Sequence, residues 1–105
     1  MEVDYDICQS AFGVSPSSVN RQNQFTNSMY GGNKLQASRV MYPNGQIDPW
    51  KSLGVLSPPN EEQVTLYVTA ASHHFWTHTT LPTDDVFVRE ARVAIWNQVN
   101  AWLKE

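Results

Sequence analysis

Two β-prone runs joined by a crossover, then a long amphipathic helix, predict an α/β fold with parallel strands. The runs are residues 37–42 and 64–69, and the helix covers residues 84–103. A connection of about 20 residues is long enough to return the second strand parallel to the first. At 105 residues the chain reads as part of one domain, residues 1–105. Two strands and one long helix do not close a core. The expected object is therefore the C-terminal segment of an α/β domain, incomplete on its own: two parallel strands, a short crossover helix and a long last helix.

Each element has a local cause. In residues 1–12, Ile7, Cys8, Ala11 and Phe12 fall at helical spacing, and Gly13 offers a stop. Residues 14–34 are polar and rich in Ser, Asn and Gln, with a Gly31-Gly32 pair. They predict a long loop, which in a compact domain either wraps a larger body or carries function. The run 37–42 is stopped by Pro43-Asn44-Gly45, where the Asn-Gly pair predicts a tight turn with positive φ. Asp48 then suits a helix N-cap, with Pro49 in the first turn and residues 53–56 completing it. Pro58-Pro59-Asn60 breaks that turn. Val64-Thr65-Leu66-Tyr67-Val68-Thr69 is β-branched or aromatic almost throughout and gives the strongest strand.

Pro82-Thr83-Asp84-Asp85 provides a cap and early negative charge for the last helix. Val88, Ala91, Ile95, Val99, Trp102 and Leu103 recur at steps of three and four and make one apolar face. Arg89, Arg92, Asn97, Gln98 and Lys104 fall mostly elsewhere on the wheel.

Composition narrows the functions. With 41% apolar and 16% charged residues, the chain belongs in a globular context and not a disordered tail. A net charge of −3 without a basic stretch argues against a nucleic-acid partner. No signal peptide is read at the start, and no run approaches the roughly 18 apolar residues of a membrane helix. Four Trp, four Tyr and four Phe are core or interface surface, part of it expected to pack against material outside this chain. Cys8 is the one cysteine, either a buried reduced thiol or half of a disulfide.

The chemistry sits in Asn44-Gly45-Gln46-Ile47-Asp48-Pro49-Trp50 and Ser72-His73-His74. Asp48 and His73 each follow a predicted strand, where parallel sheets build their sites. A hydrolytic His shuttles a proton between nucleophile and leaving group. It needs a carboxylate on its far nitrogen to fix the tautomer and stabilise the imidazolium. Asp before His is also the order of an α/β-hydrolase triad. The plain alternatives are a helix cap for Asp48 and a surface or core histidine for His73. The serine of the triad is not found. Gly13-Val14-Ser15-Pro16-Ser17 comes nearest to a Gly-X-Ser-X-Gly elbow, but the oxyanion hole needs the N–H of the residue after the serine, and Pro16 has none. His74 and His78 are four apart, as zinc ligands on a helix would be, yet Phe75-Trp76-Thr77 is poorly helical and no metalloprotease motif is present. Trp50 and Trp76 fit buried packing better than a substrate wall.

These residues carry a family resemblance. Ala37-Ser38-Arg39-Val40-Met41-Tyr42-Pro43-Asn44-Gly45-Gln46-Ile47-Asp48-Pro49-Trp50 resembles the C-terminal part of the serine carboxypeptidase family that includes lysosomal Pro-X carboxypeptidase, dipeptidyl peptidase II and thymus-specific serine peptidase. Its members carry Asn-Gly-X-X-Asp-Pro-Trp after a strand, with the Asp as triad acid. Asp48 matches it. They then carry Gly-Ala-His-His or Gly-Ser-His-Cys, whose first His is the triad base, and His73 in Ala71-Ser72-His73-His74 matches. Cys8-Gln9-Ser10-Ala11-Phe12-Gly13, Tyr30-Gly31-Gly32, Ala91-Arg92 and Trp102-Leu103 are similar to further family stretches. The resemblance implies a disulfide at Cys8.

It also implies an α/β-hydrolase segment from a serine exopeptidase that cleaves peptides next to proline or a similar small residue. Asp48 and His73 would be the catalytic residues, and the serine would come from a missing N-terminal part of the same enzyme. No metal or organic cofactor is needed. The parent would be lysosomal or secreted, and the segment alone inactive. The competing expectation is a non-catalytic binding module that docks through strand edges and aromatics.

Overall fold

The computed structural model describes residues 2–105, so Met1, included in the first expected helix, lies outside it. The chain divides into two compact units, Met1–Gln36 and Ala37–Glu105.

The first unit holds two helices, α1 (Glu2–Phe12) and α2 (Pro16–Tyr30). Gly13 takes φ +65 and stops α1 as expected. The long loop predicted over residues 14–34 is instead mostly α2, and the start and stop signals were local. Ser15 is the N-cap, its Oγ accepting from Ser18 N–H at 3.3 Å, and Pro16 occupies the first turn. Gly31, at φ +83, caps the other end and donates its N–H to the Asn27 carbonyl. No residue of α2 is buried, which is why its sequence shows no apolar stripe. Tyr5 Oη donates to Asn20 Oδ1 at 2.8 Å and ties α1 to α2. Cys8 is a half-buried free thiol. The disulfide implied by the resemblance requires a second cysteine that this sequence does not contain.

The second unit holds β1 (Val40–Gly45), β2 (Gln63–Val68) and α3 (Val86–Trp102). The strands pair in parallel, with register from Val40 opposite Gln63 to Gly45 opposite Val68. The parallel reading is borne out, but β1 starts and ends three residues later than expected. Pro43 lies inside it, tolerated because β1 is paired on one side only among the described residues. Asn44 and Gly45 form no positive-φ turn. They are buried strand residues. Asn44 Nδ2 donates to the Tyr42 and Val55 carbonyls at 2.9 and 3.0 Å, tying the strand end to the crossover. The crossover helix is a single 3-10 turn, Lys51–Leu53.

Val68, Ala71, Trp76, Val88 and Ala91 form the core, with Leu66 and Ile95 packed against it. Cover fades along the predicted α3 face: Val88 and Ala91 are buried, while Ile95 and Trp102 are half-buried. Val99 is 37% exposed and Leu103 78%. The helix begins two residues later than predicted, with Asp85 as N-cap accepting from Phe87 N–H at 2.8 Å. Asp84 is left free for another task. Its buried carboxylate pairs with Arg92, which points inward, not to the solvent side of the wheel.

Ser15→Ala removes the cap of α2 and should lower stability by about 1 kcal/mol in urea unfolding. An unchanged midpoint would mean that the cap bond contributes nothing.

Candidate active site

The site forms where the two strands end. After β1, Gln46 N–H donates to the Val68 carbonyl at 2.9 Å and Ile47 N–H to the Ala71 carbonyl at 3.1 Å. Gln46 Oε1 accepts from Ala70 N–H at 2.9 Å. These bonds lay the loop after β2 against the loop after β1. The approach is close enough to dictate a glycine. A Cβ on Gly45 would stand 2.5 Å from the Ala71 carbonyl oxygen and 2.6 Å from that of Ser72. Gly45 is therefore required by contact, not by φ.

That contact brings Asp48 and His73 together, 25 positions apart in sequence. His73 Nδ1 lies 2.8 Å from Asp48 Oδ2. An ionised carboxylate only accepts, so Nδ1 donates in this bond and Nε2 lies on the far side of the ring. The other carboxylate oxygen, Oδ1, accepts from Trp50 N–H at 2.8 Å. Asp48 is thus a turn-forming residue as well, but a 3-10 turn starts only at Lys51, so its part in a regular helix cap is not realised. Its side chain is 9% exposed, while that of His73 is 50% exposed. The His73 hydrogen bond draws the Asp48 carboxyl below the usual carboxylate range. Burial opposes that shift, and the Trp50 N–H and the two nearby imidazoles reinforce it.

Rings crowd His73. Trp50 meets it edge-on at 5.0 Å between centroids, and His74 at 4.6 Å. Trp50 is 57% exposed and lines a cleft of about 400 Å³ with Asp48, His73, His74 and Trp76. The packing role expected for both tryptophans holds only for Trp76. His74 takes φ +41, unusual for a residue with a side chain, and its carbonyl accepts from Thr77 N–H at 2.9 Å. His74 and His78 flank the 3-10 turn Phe75–Thr77 and share no helix face. His78 Nε2 instead lies 3.4 Å from Asp84 Oδ1. Among the described residues no three His, Cys, Asp or Glu side chains converge as metal ligands. Ser15 is occupied as a helix cap.

Sequence reasoning had singled out Asp48 and His73, and the structure joins them. It missed Gly45 as a contact residue, because Asn-Gly reads as a turn. It also missed the Asp84–Arg92 pair, whose members are eight apart and carry no shared motif.

A parallel strand pair with a carboxylate–imidazole couple beyond its carboxyl ends is the arrangement α/β hydrolases use. The comparison of sequences makes the class specific. The family described as "Serine carboxypeptidase S28" matches residues 1–95, and the chain belongs to that family of serine peptidases. It is 36% identical over 100 residues to the thymus-specific serine protease of Mus musculus, covering 95% of this chain and 20% of that protein. Against the lysosomal Pro-X carboxypeptidase of Homo sapiens the identity is 25% over 101 residues, with 95% and 19% covered. The chain thus spans about a fifth of the length of these relatives. No solved structure matches. Among the described residues no helix is long and apolar enough to cross a membrane.

Two predictions follow from the geometry. Gly45→Ala should push the loop at Ala71 and Ser72 outward and cost about 1–3 kcal/mol, the range for forcing atoms into a packed site. Urea unfolding measures the cost, and wild-type stability would contradict the contact. The second concerns acid. Asp48 binds its proton less readily folded than unfolded, so its contribution is complete above about pH 4 and fades as pH falls through the lowered native value. Asp48→Asn should flatten that part of the stability curve. An acid limb as steep as wild type in urea titrations would remove Asp48 from it.

Proposed function

We propose that this chain supplies the acid–base half of a serine exopeptidase that acts on peptides. The observation that carries the reading is the 2.8 Å hydrogen bond between a nearly buried carboxylate and a half-exposed imidazole at two parallel strand ends. In this reading His73 Nε2 takes the proton of a serine hydroxyl as the serine attacks a peptide carbonyl. It then returns the proton to the leaving amine. Asp48 holds the Nδ1–H tautomer and stabilises the imidazolium. The reaction needs no metal and no organic cofactor.

The serine and the oxyanion donors would come from further sequence, since the relatives are about five times as long. The uncovered apolar surface supports a larger α/β body around this segment, with Trp96 66% and Leu103 78% exposed. Cleavage beside proline fits the name of the Pro-X carboxypeptidase relative, and release of a dipeptide is what the family resemblance implies. A lysosomal setting fits the name of the Pro-X carboxypeptidase relative. The same exposed side chains favour a second reading, a binding module that docks on a partner without catalysis.

The test separates the two. In a protein that joins this segment to its serine-bearing remainder, Asp48→Asn should cut kcat by on the order of 10⁴-fold through the wrong His tautomer. Near-normal turnover by the folded variant would remove Asp48 from the mechanism, and no turnover by the folded wild-type protein would leave the binding module. The 105-residue chain by itself should take no covalent label from a fluorophosphonate, and labelling at Ser15 would contradict the assignment of the nucleophile elsewhere.

A further inference from the structure

His73 is half exposed, so burial does not fix its ring. The ring stands on a loop with left-handed φ at two residues with side chains, Ala70 at +54 and His74 at +41. Such conformations persist only where surrounding contacts over-determine them. Upstream of His73 the contact with Gly45 does this. Downstream, Thr77 N–H and Oγ1 donate to the His74 carbonyl at 2.9 and 2.8 Å, and one side chain of α3 holds the residues around that turn. Arg92 reaches back from α3, its Nε donating to the Trp76 carbonyl at 2.9 Å and its Nη2 to the His78 carbonyl at 3.1 Å. Its Nη1 pairs with the buried Asp84 carboxylate, which also accepts from Leu81 N–H at 2.9 Å. The guanidinium thus grips three points of the stretch that follows His73 and His74. A planar fork with fixed donor directions suits this and an ammonium does not.

We propose that Arg92 is a positioning residue for His73: by fixing the Trp76–His78 backbone to α3, it holds the imidazole on the Asp48 carboxylate. This rests on the catalytic reading of the Asp48–His73 pair, but its test needs no turnover, so either idea can fail without the other. Arg92 bonds to Trp76, His78 and Asp84 and acts on His73 only through them.

The test uses nitrogen-labelled full chain and solution NMR. The Nδ1 proton of His73, assigned by its loss in His73→Gln, reports through its exchange with water how constantly the bond to Asp48 is kept. Arg92→Lys keeps a cation for Asp84 and gives up the fork on the two carbonyls. It should speed that exchange by on the order of tenfold, the effect of losing a hydrogen bond to a charged group. Exchange of the Val88 and Ala91 amides should stay close to wild type. Arg92→Gln is the second variant, with the same expected rise. Unchanged His73 exchange in either folded variant overturns the proposal, as does a rise that the core amides share equally. Wild type provides a check that no folding defect can spoil. In mild urea the Arg92 Nε proton and the His73 Nδ1 proton should lose protection together, below the global transition. Separate loss overturns the coupling.

Discussion

The close approach of the Ala71–Ser72 backbone to Gly45 is the constraint on which the site depends. Both strands end there, and a side chain at Gly45 would occupy the space of two carbonyl oxygens. With that space open, the Gln46 and Ile47 N–H groups reach the loop after β2, and Asp48 comes within a hydrogen bond of His73. The parallel register sets the approach, because Gly45 stands opposite Val68 and both chains leave the sheet at the same level. A one-residue slip would turn every side chain beyond it to the other face.

Two aspartates show how the same side chain takes different work. Asp48 and Asp84 are both largely shielded, with side chains 9% and 3% exposed. Both are held below the usual carboxylate range, Asp48 chiefly by the His73 hydrogen bond and Asp84 chiefly by the Leu81 N–H and then Arg92. The partner decides the outcome. Arg92 ties Asp84 to the Trp76 and His78 carbonyls through one planar fork, so the two form a fixed strut. Asp48 instead holds one nitrogen of a half-exposed ring whose other nitrogen lies away from the carboxylate.

Much of the site was legible in sequence because it rests on short-range signals. Asp48 and His73 each follow a strand-like run, and the chain order Asp then His matches one hydrolase plan. The α3 periodicity was equally plain at Val88, Ala91 and Ile95. What failed to show was long-range. Asn44-Gly45 has the letters of a turn, yet β2 pairs with those residues and draws them into a strand. The polar composition of α2 hid a helix with no buried residue, although Ser15-Pro16 and Gly31 marked both ends. Arg92 looked like a solvent-facing residue because its partners lie on a loop that no helical wheel contains.

The amino-acid order alone pointed to the α/β class, the long last helix, Asp48 and His73 as candidate partners, and the poor match of Ser15 to a Gly-X-Ser-X-Gly elbow. Each of these depends on neighbours within a few positions, or on one property such as the missing N–H of Pro16. Only the tertiary structure decided that Asp48 and His73 meet, which face of α3 stays uncovered, and what holds the loop of His73 in place. Those outcomes depend on contacts between residues far apart in the chain, whose energies exist only once β1, β2 and α3 have packed.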